Sequence, residues 1–395
     1  MRDWCRPEQG TRCFDQLPAT VERLLTGASS GPALEEPFLR ERFERVAFVY
    51  LDAFGWTFLE RHAGHPLFAR AGSDGLLTQL TAQFPSTTTA QVTTIHSGLT
   101  VAEHGLYEWH VYEPKFDRLI TPLLFSFAGD GMRGSLLGQI DPDALFPTES
   151  IYARLAEAEV PSSVVLPAAI AGSAPNLALL RGTQVVPFST TERALAAAST
   201  ALDEGAGYAH IYLDELDSLM HAVGPDDPLV EAGAGLVLDA LAGATFPPGT
   251  LVLLTADHGM SPVDPTRTVY VNELWPGLAE LLETGADGKP LAPAGSCRDL
   301  FLHVREGHLD EVCAGLGERL DGVADLVPVD ELVAEGIFAE PSPRLRERLA
   351  NVVVLPRYGE AVYWHEPGRF AQQLHGQHGG LSPQEMEIPL LAWVA

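Results

Sequence analysis

Short apolar runs, several of them ending at an aspartate, recur along the chain and limit the folds that it can adopt. The clearest is Arg45–Asp52 (RVAFVYLD), and similar runs occupy Ser163–Pro167, Ala209–Asp214 and Thr250–Thr255. Continuous apolar runs of this length are typical of strands buried on both faces of a parallel sheet. Helix-like sequence such as the alanine-rich Thr191–Glu204 separates them. The alternation predicts an α/β fold, a mostly parallel central sheet with helices on both faces.

The pattern changes after Thr255, which predicts an insertion into this fold. Glu283–Gly295 is a break rich in glycine, proline and alanine, and Arg298–Leu320 then reads as a strand followed by a helix. A further strand is predicted at Asn351–Leu355, and the last strand of the main sheet at Met386–Ala395. The predicted domains are a core, residues 1–263 and 371–395, and a small inserted α/β cap domain, residues 264–370.

The charge of the chain excludes several classes of partner. Its formal net charge is −28, a field that repels nucleic-acid polymers and anionic membrane surfaces. A small anionic substrate can still bind where cations reverse the local potential. The sequence shows no signal-peptide pattern and no apolar stretch of transmembrane length, so we expect a cytoplasmic protein. The four cysteines are too scattered for a disulfide scaffold. The sequence leaves the oligomeric state open.

Carboxylates and a histidine at strand ends predict one side of a metal site. Asp52 closes the first strand, and Asp257-His258 follows the strand at Thr250–Thr255. Because ligands of parallel sheets bind beyond the carboxyl ends of the strands, these side chains are expected at one edge. Aspartate and histidine suit zinc, and Gly259 permits the turn that such a site needs. Taken singly, each of these residues also fits an ordinary turn or helix cap.

Two further places offer metal ligands. Asp217 and His221 are spaced i,i+4, so a helix places them on one face. His378 lies in the glycine-rich segment LHGQHGGL, where His375 is a rival ligand. Alone, the first pair also fits a solvated helix face, and His378 also fits a solvent-facing residue. The remaining candidates, which we interpret as structural, are His96, His104 and His110.

A threonine cluster supplies the candidate nucleophile. Thr88 lies in FPSTTTAQVTTIHSG, where Pro85 precedes a segment with few helix breakers. Threonine at a helix start is usually a cap, but a helix N-terminus also presents unpaired N–H groups that suit a phosphate. A threonine hydroxyl held by a metal ion is an activated nucleophile.

Five short motifs in this order resemble those of the alkaline phosphatase superfamily, within it the type I phosphodiesterase/nucleotide pyrophosphatase family. They read VYLDAFG, FPSTTTAQVTTIHSGLTVAEHGL, YLDELDSLMHAVGP, TADHGMSP and QHGGLSPQEMEIPL. The resemblance implies a three-layer αβα sandwich and a metal-dependent hydrolase that forms a phospho-threonine intermediate at Thr88. It implies two divalent ions, expected to be zinc with manganese as the alternative. The implied ligands are Asp217, His221 and His378 for one ion and Asp52, Asp257 and His258 for the other, with Thr88 bridging.

One departure from the family pattern concerns the phosphate contact. Many relatives carry Pro-Asn-His shortly after the nucleophile, with an asparagine that binds the phosphoryl oxygen, whereas this chain has Ala90-Gln91-Val92. Gln91 keeps an amide donor on a longer arm and is the candidate substrate contact, with a backbone N–H as the alternative. Three aromatic residues are candidates to stack on the leaving group, and packing in the core or at its rim is the alternative for each. They are Trp56, Tyr107 and Trp109.

These features predict cleavage of a phosphodiester or nucleotide pyrophosphate bond in a small phosphorylated substrate. The alternatives are a phosphomonoesterase, a phosphonate hydrolase on the same fold, and a non-catalytic protein that binds a phosphorylated ligand. Thr88 argues mildly against a mutase, since mutases of this superfamily typically carry serine with manganese. Monoester specialists usually need an extra cation for the second phosphate charge, and none is evident in the motifs.

Overall fold

A computed structural model describes residues 4–395. The strands are β1 Val46–Leu51, β2 Leu76–Thr81, β3 Val111–Glu113, β4 Arg118–Thr121, β5 Ser126–Phe127, β6 Ser162–Pro167, β7 Gln184–Phe188, β8 Tyr208–Leu213, β9 Leu251–Thr255, β10 Ser261–Pro262, β11 Val269–Tyr270, β12 Ala294–Gly295, β13 Leu300–Leu302, β14 Ala324–Pro328, β15 Val352–Pro356, β16 Val362–Tyr363, β17 Gly376–Gln377 and β18 Glu387–Val394.

The α-helices connect these strands and cover the sheet. They are α1 Leu17–Thr26, α2 Trp56–Arg61, α3 Pro66–Asp74, α4 Thr88–Ser97, α5 Val101–His104, α6 Pro142–Leu145, α7 Ile151–Glu157, α8 Ala174–Leu179, α9 Thr191–Asp203, α10 Glu215–Val223, α11 Pro228–Gly243, α12 Val271–Leu274, α13 Leu309–Arg319, α14 Val329–Ala334, α15 Pro343–Arg346 and α16 Pro383–Met386.

The central sheet has seven strands in the order β2-β18-β9-β1-β8-β6-β7. β1 pairs in parallel with β8 and β9, and β6 pairs in parallel with β7 and β8. β18 lies antiparallel between β9 and β2. Every residue of β1 and of β9 is buried, as strands covered on both faces must be. The predicted mostly parallel sheet is confirmed, with β18 as its antiparallel member.

Helices cover both faces of this sheet and complete the three-layer αβα sandwich. One layer contains α1, α4 and α7, which pack on one another and on β1 and β6. The other contains α3, α9 and α11. Helix α11 contacts both α3 and α9, α3 packs on β2 and β18, and α9 packs on β6, β7 and β8. Phe48 and His210 stack between β1 and β8 at 5.3 Å, and His96 of α4 meets His210 edge-on at 4.9 Å. His96 is therefore a packed core residue, in line with its structural interpretation.

A separate four-stranded sheet, β12-β13-β15-β14, lies within residues 294–356. Its strands pair antiparallel, and α13 packs on β14. All seven strands of the central sheet lie before residue 263 or after residue 386. This distribution is what an insertion requires, while the limits 264–370 stay a prediction.

No helix within residues 4–395 is both long enough and apolar enough to span a membrane. The cytoplasmic location stays a prediction.

Candidate metal centre

The first cluster of ligands forms where two neighbouring strands end. Asp52 directly follows β1, and Asp257 follows β9 by two residues, so parallel pairing brings both carboxylates to one edge. His258 Nε2 lies 3.2 Å from Asp257 Oδ2 and 3.5 Å from Asp52 Oδ1. All three side chains are buried, and one ligand atom from each falls within 4.8 Å of the others.

The second cluster combines a helix and a late loop. Asp217 and His221 lie one turn apart on α10, which begins just after β8, and His221 Nε2 is 3.3 Å from Asp217 Oδ1. His378 follows β17 and places its Nε2 3.8 Å from the same oxygen. These three ligand atoms also lie within 4.8 Å of one another. His375, the rival ligand, is exposed, and its backbone forms hydrogen bonds with Val263 and His221.

The two clusters adjoin, and Thr88 borders one of them. The rings of His258 and His378 stack with centroids 3.6 Å apart, which joins the two groups into one site. Thr88 is the first residue of α4, and its Oγ1 lies 3.1 Å from His258 Nε2. Thr87 caps this helix by accepting from Ala90 N, so the capping role does not fall to Thr88. The Thr88 hydroxyl is therefore left for the site.

Every histidine of the site uses its Nδ1 for a backbone carbonyl. His221, His258 and His378 share this arrangement, which fixes the tautomer so that each Nε2 keeps a lone pair facing the clusters. The acceptors are the carbonyl oxygens of Gly376 at 2.7 Å, Gly259 at 2.9 Å and Ser86 at 3.0 Å, respectively. Metal-binding histidines in proteins are oriented in the same way.

The aspartates show the complementary feature, since each keeps one oxygen without a donor. Asp52 Oδ1, Asp217 Oδ1 and Asp257 Oδ2 are buried and have no hydrogen-bond partner within the described chain. By contrast, Asp52 Oδ2 accepts from the Tyr212 hydroxyl. Asp257 Oδ1 accepts from Ala53 N at 3.1 Å. A buried carboxylate oxygen without a donor is costly unless a cation meets it, so the residues fit divalent ions.

The electrostatics of the carboxylates point the same way. Burial, followed by the nearby charges of Asp257 and Asp217, raises the pKa of Asp52 well above its usual value. Burial also opposes ionisation of Asp217, but the adjacent His221 and His378 hold its pKa below the usual value. Burial, with His258 nearby, lowers the pKa of His378 and keeps the imidazole neutral, the form that binds metal. Three carboxylates in one site, those of Asp52 and Asp257 buried and that of Asp217 partly buried, need positive charge, which divalent ions would supply.

The turn after β1 is held in an uncommon conformation. Ala53 has a φ of 62°, in the left-handed region that L-residues seldom adopt. Its N–H points at Asp257 as a result, and Gly55, two residues on, has room for only a hydrogen because an added Cβ would lie 2.6 Å from Gly259 Cα. Such backbone is found where a site needs it.

The structure does not bring Gln91 to the site. Its side chain is fully buried, and its Nε2 donates to the carbonyl of Gln83 at 3.1 Å while its Oε1 accepts from the Gln83 side chain at 2.9 Å. Both ends of the amide are thus used inside the protein, because α4 turns position 91 toward the core. The proposed substrate contact of Gln91 has no support in this geometry.

The three aromatic candidates separate by exposure. Tyr107 is fully buried, and Trp56 donates its Nε1 to Glu60 on the same helix. Trp109 is 41% exposed. The backbone carbonyl of Tyr107 accepts a 2.9 Å hydrogen bond from Thr87 Oγ1, which connects the segment that precedes Trp109 to the start of α4.

Sequence reasoning missed Tyr212, whose hydroxyl orients Asp52. Tyr212 stands in the recognised segment YLDELD, but inside a strand pattern that explains it as core. The remaining histidines behave as predicted. His104 and His110 are buried and hydrogen-bonded to Thr94 and Thr121, respectively.

The sequence profile described as type I phosphodiesterase/nucleotide pyrophosphatase matches residues 46–381. The chain belongs to this family. This family lies in the alkaline phosphatase superfamily. Its members hydrolyse phosphoester bonds and depend on divalent ions. The chain is therefore an enzyme of this class. Comparison with curated protein sequences finds no match.

Solved structures share the fold of this family member. Murine ectonucleotide pyrophosphatase/phosphodiesterase 5 is 18% identical, with 88% of each chain covered and a TM-score of 0.63. The human protein of the same name is 18% identical over 88% of this chain and 87% of its own, with a TM-score of 0.64. Phosphonoacetate hydrolase from Sinorhizobium meliloti 1021, in complex with phosphonoformate, is 19% identical over 89% of this chain and 90% of its own, with a TM-score of 0.63. At these identities the likeness concerns the fold alone.

Proposed function

We propose that the protein is a two-metal phosphodiesterase or nucleotide pyrophosphatase whose nucleophile is Thr88. The observation that carries the proposal is the Thr88 hydroxyl, 3.1 Å from His258 Nε2 at the edge of the joined clusters. It stands at the start of α4, whose N-terminal N–H groups favour an anionic phosphoryl group.

The metal ligands fall into two sets of three. Asp217, His221 and His378 would hold one ion, and the other set is Asp52, Asp257 and His258. Mixed nitrogen and oxygen donors suit zinc first and manganese second. When bound, the ions would neutralise charge on the phosphoryl oxygens and favour ionised Thr88 at neutral pH.

The reaction then needs two steps at Thr88. Thr88 Oγ1 releases its proton to solvent and attacks phosphorus. The bond to the leaving oxygen breaks as the phospho-threonine forms, and that oxygen takes up a proton from solvent. Water then attacks phosphorus from the side that the leaving group vacated, and the Thr88 oxygen departs and takes back a proton. His258 and His378 would each present the Nε2 lone pair to an ion, because each Nδ1–H donates to a backbone carbonyl.

The formal charge of the site favours a diester over a monoester. Two divalent ions and three aspartates leave one positive charge, which ionised Thr88 offsets and which is restored as Thr88 attacks, so the site would compensate a singly charged diester in the reaction. A doubly charged monoester would gain from another cation at the site, yet the buried Arg298 and Arg348 are both paired with glutamates. A phosphonate monoester carries the same single charge, so phosphonate hydrolysis is the second candidate. An inactive variant of murine ectonucleotide pyrophosphatase/phosphodiesterase 5 has been solved in complex with AMP, and the phosphonoacetate hydrolase in complex with phosphonoacetate.

The test is turnover of bis-p-nitrophenyl phosphate, p-nitrophenyl phosphate and p-nitrophenyl phenylphosphonate, each with chelator and after zinc is added back. We expect the diester to be cleaved fastest, no turnover with chelator, and recovery with zinc. Turnover of the monoester alone would refute the diester assignment. Turnover of none of them by the zinc-loaded protein would favour a binding role.

The nucleophile is tested by Thr88→Ala, with Thr89→Ala as the matched control on the next residue of the same helix. Thr88→Ala should lose multiple turnover and phospho-enzyme formation by mass spectrometry while it retains metal. Thr89→Ala should keep both. A phosphorylated peptide that maps to another residue would exclude Thr88.

A further inference from the structure

One turn of the inserted segment reaches into the metal centre. This turn, residues 296–299, precedes β13 and contains Ser296, Arg298 and Asp299. Arg298 and Asp299 are fully buried, although arginine and aspartate are rarely buried without a purpose. We call it the cap turn.

Arg298 holds Glu385 in the core with a two-pronged ion pair. Arg298 Nε lies 3.0 Å from Glu385 Oε1 and Nη2 lies 2.8 Å from Oε2, and neither side chain is exposed. The remaining donor, Nη1, points to the carbonyl groups of Arg357 and Glu360 within the inserted segment. The guanidinium is therefore fixed from both sides, and it fixes the orientation of Glu385.

Glu385 in turn touches both histidine loops of the metal centre. Its Oε1 accepts from Gly380 N at 3.0 Å, two residues after His378. Its backbone carbonyl accepts from Gly259 N at 2.9 Å, directly after His258. A single glutamate thus connects the two stacked imidazoles, one from each cluster.

Ser296 makes a second, smaller contact with the same loop. Its Oγ lies 3.3 Å from the carbonyl oxygen of His378 and 2.7 Å from Asp299 Oδ1. Asp299 and Glu108 both pack on Gly379, where an added Cβ would lie 2.8 Å and 2.9 Å from their carboxylate oxygens. The loop of His378 is thereby enclosed by the cap turn.

We propose that Arg298, acting through Glu385, is a positioning residue for His378 and His258, so that the inserted segment completes the metal centre. A buried ion pair is weak support for stability, because apolar residues of similar size often stabilise a core as well. A two-pronged ion pair does fix the orientation of its carboxylate, and metal ligands must be held in a fixed orientation to bind an ion. The inference rests on the proposed metal site.

A second buried pair provides a matched control. Arg348, also in the inserted segment, pairs with Glu113 at 2.6 Å and donates to the carbonyl of Gly105 at 3.0 Å. Both pairs join the inserted segment to the core with little exposure. The described partners of Arg348 include none of the six metal ligands.

The experiment measures zinc affinity by competition with a chromogenic chelator, together with thermal unfolding, for Arg298→Lys and Arg348→Lys. Lysine keeps the charge but not the two-pronged geometry. We expect both variants to unfold at a lower temperature, and only Arg298→Lys to bind zinc roughly 10–100-fold more weakly, the usual cost of losing an outer-shell contact. Excess zinc should restore diesterase activity to Arg298→Lys.

Equal zinc affinity in the two variants would overturn the inference, whether both weaken or neither does. Ser296→Ala decides the matter if Arg298→Lys does not fold, because it removes the hydroxyl that contacts the His378 carbonyl, Asp299 and Arg298 N but leaves the Arg298–Glu385 pair intact. It should weaken zinc binding by a smaller factor, and wild-type affinity in this variant would equally overturn the inference. Absence of zinc binding by the wild-type protein would instead refute the proposed function.

Discussion

Tyr212→Phe should weaken metal binding without disturbing the fold. The Tyr212 hydroxyl donates to Asp52 Oδ2, which leaves Asp52 Oδ1 directed at the first cluster. A hydrogen bond to a charged group contributes about 1.5–3 kcal/mol. If the hydrogen bond stabilises mainly the orientation of Asp52 that binds zinc, its loss lowers zinc affinity by roughly 10–100-fold, the range found when a metal ligand loses its hydrogen-bond partner.

The same strand offers a matched control. Tyr208 and Tyr212 both lie on β8, and Tyr208 OH is 3.4 Å from His210 Nδ1, away from the metal ligands. Tyr208→Phe removes the same atom from the same element. It should leave zinc affinity unchanged.

The assay is a chelator competition at fixed pH, followed by diester turnover at low and at saturating zinc. Tyr212→Phe should be defective at low zinc and approach wild-type turnover at saturating zinc. Our reasoning on Asp52 would be refuted if Tyr212→Phe and Tyr208→Phe bound zinc equally well. A turnover defect that saturating zinc does not repair would also contradict it, since the hydroxyl would then act on something other than metal affinity.

Three further outcomes follow from the structure. Gly376→Ala should lower the free energy of unfolding in denaturant by about 1–3 kcal/mol, because the new Cβ would lie 2.5 Å from the carbonyl oxygen of Met220. Gly317→Ala is the control: a Cβ there has open space on helix α13, so the change should be neutral or stabilising in the same measurement. Burial raises the pKa of Glu108 from 4.5 to about 7, so the contribution of Glu108 to the free energy of unfolding is present below pH 4.5 and lost as the pH rises toward 7. Glu108→Gln should flatten the plot of unfolding free energy against pH over this range, and an unchanged plot would contradict the assignment. Trp109→Ala should raise KM for aryl diesters roughly two- to tenfold, from about 0.5–1.5 kcal/mol of stacking, and leave KM for alkyl diesters unchanged; an equal rise for both would exclude stacking.

The strands that sequence predicts best are those buried on both faces. The predicted strands Arg45–Asp52 and Thr250–Thr255 correspond to β1 and β9 within one residue at each end. A short, continuous apolar run bounded by polar residues marks both the type and the ends of a buried strand. No strand is predicted at β2 or β7, which are the edge strands of the central sheet. Both are only partly buried, so their sequences LLTQLT and QVVPF lack a clear apolar run.

The residues of the candidate site could be predicted from the sequence because five motifs occur in one order along the chain, whereas each residue taken alone also fits an ordinary structural role. His378 is an example: alone it is equivalent to His375, and only the ordered motifs separate them. Gln91 shows the limit of that reasoning. A motif position gives a residue type but not its direction, and the helical period of α4 turns this amide toward Gln83. The Arg298–Glu385 contact spans 87 residues, a distance over which periodicity carries no information.

The position of β18 in the sheet affects how the chain can be made. Among the described residues β2 pairs in the central sheet with β18 alone, and both β18 and His378 follow the other six strands of that sheet in the sequence. On the ribosome, the nascent chain must therefore carry β2 unpaired, and one edge of β9 open, until residues 387–394 emerge. Because His378 precedes β18 by fewer than ten residues, we expect closure of the sheet and completion of the candidate metal site to occur at the same stage of synthesis.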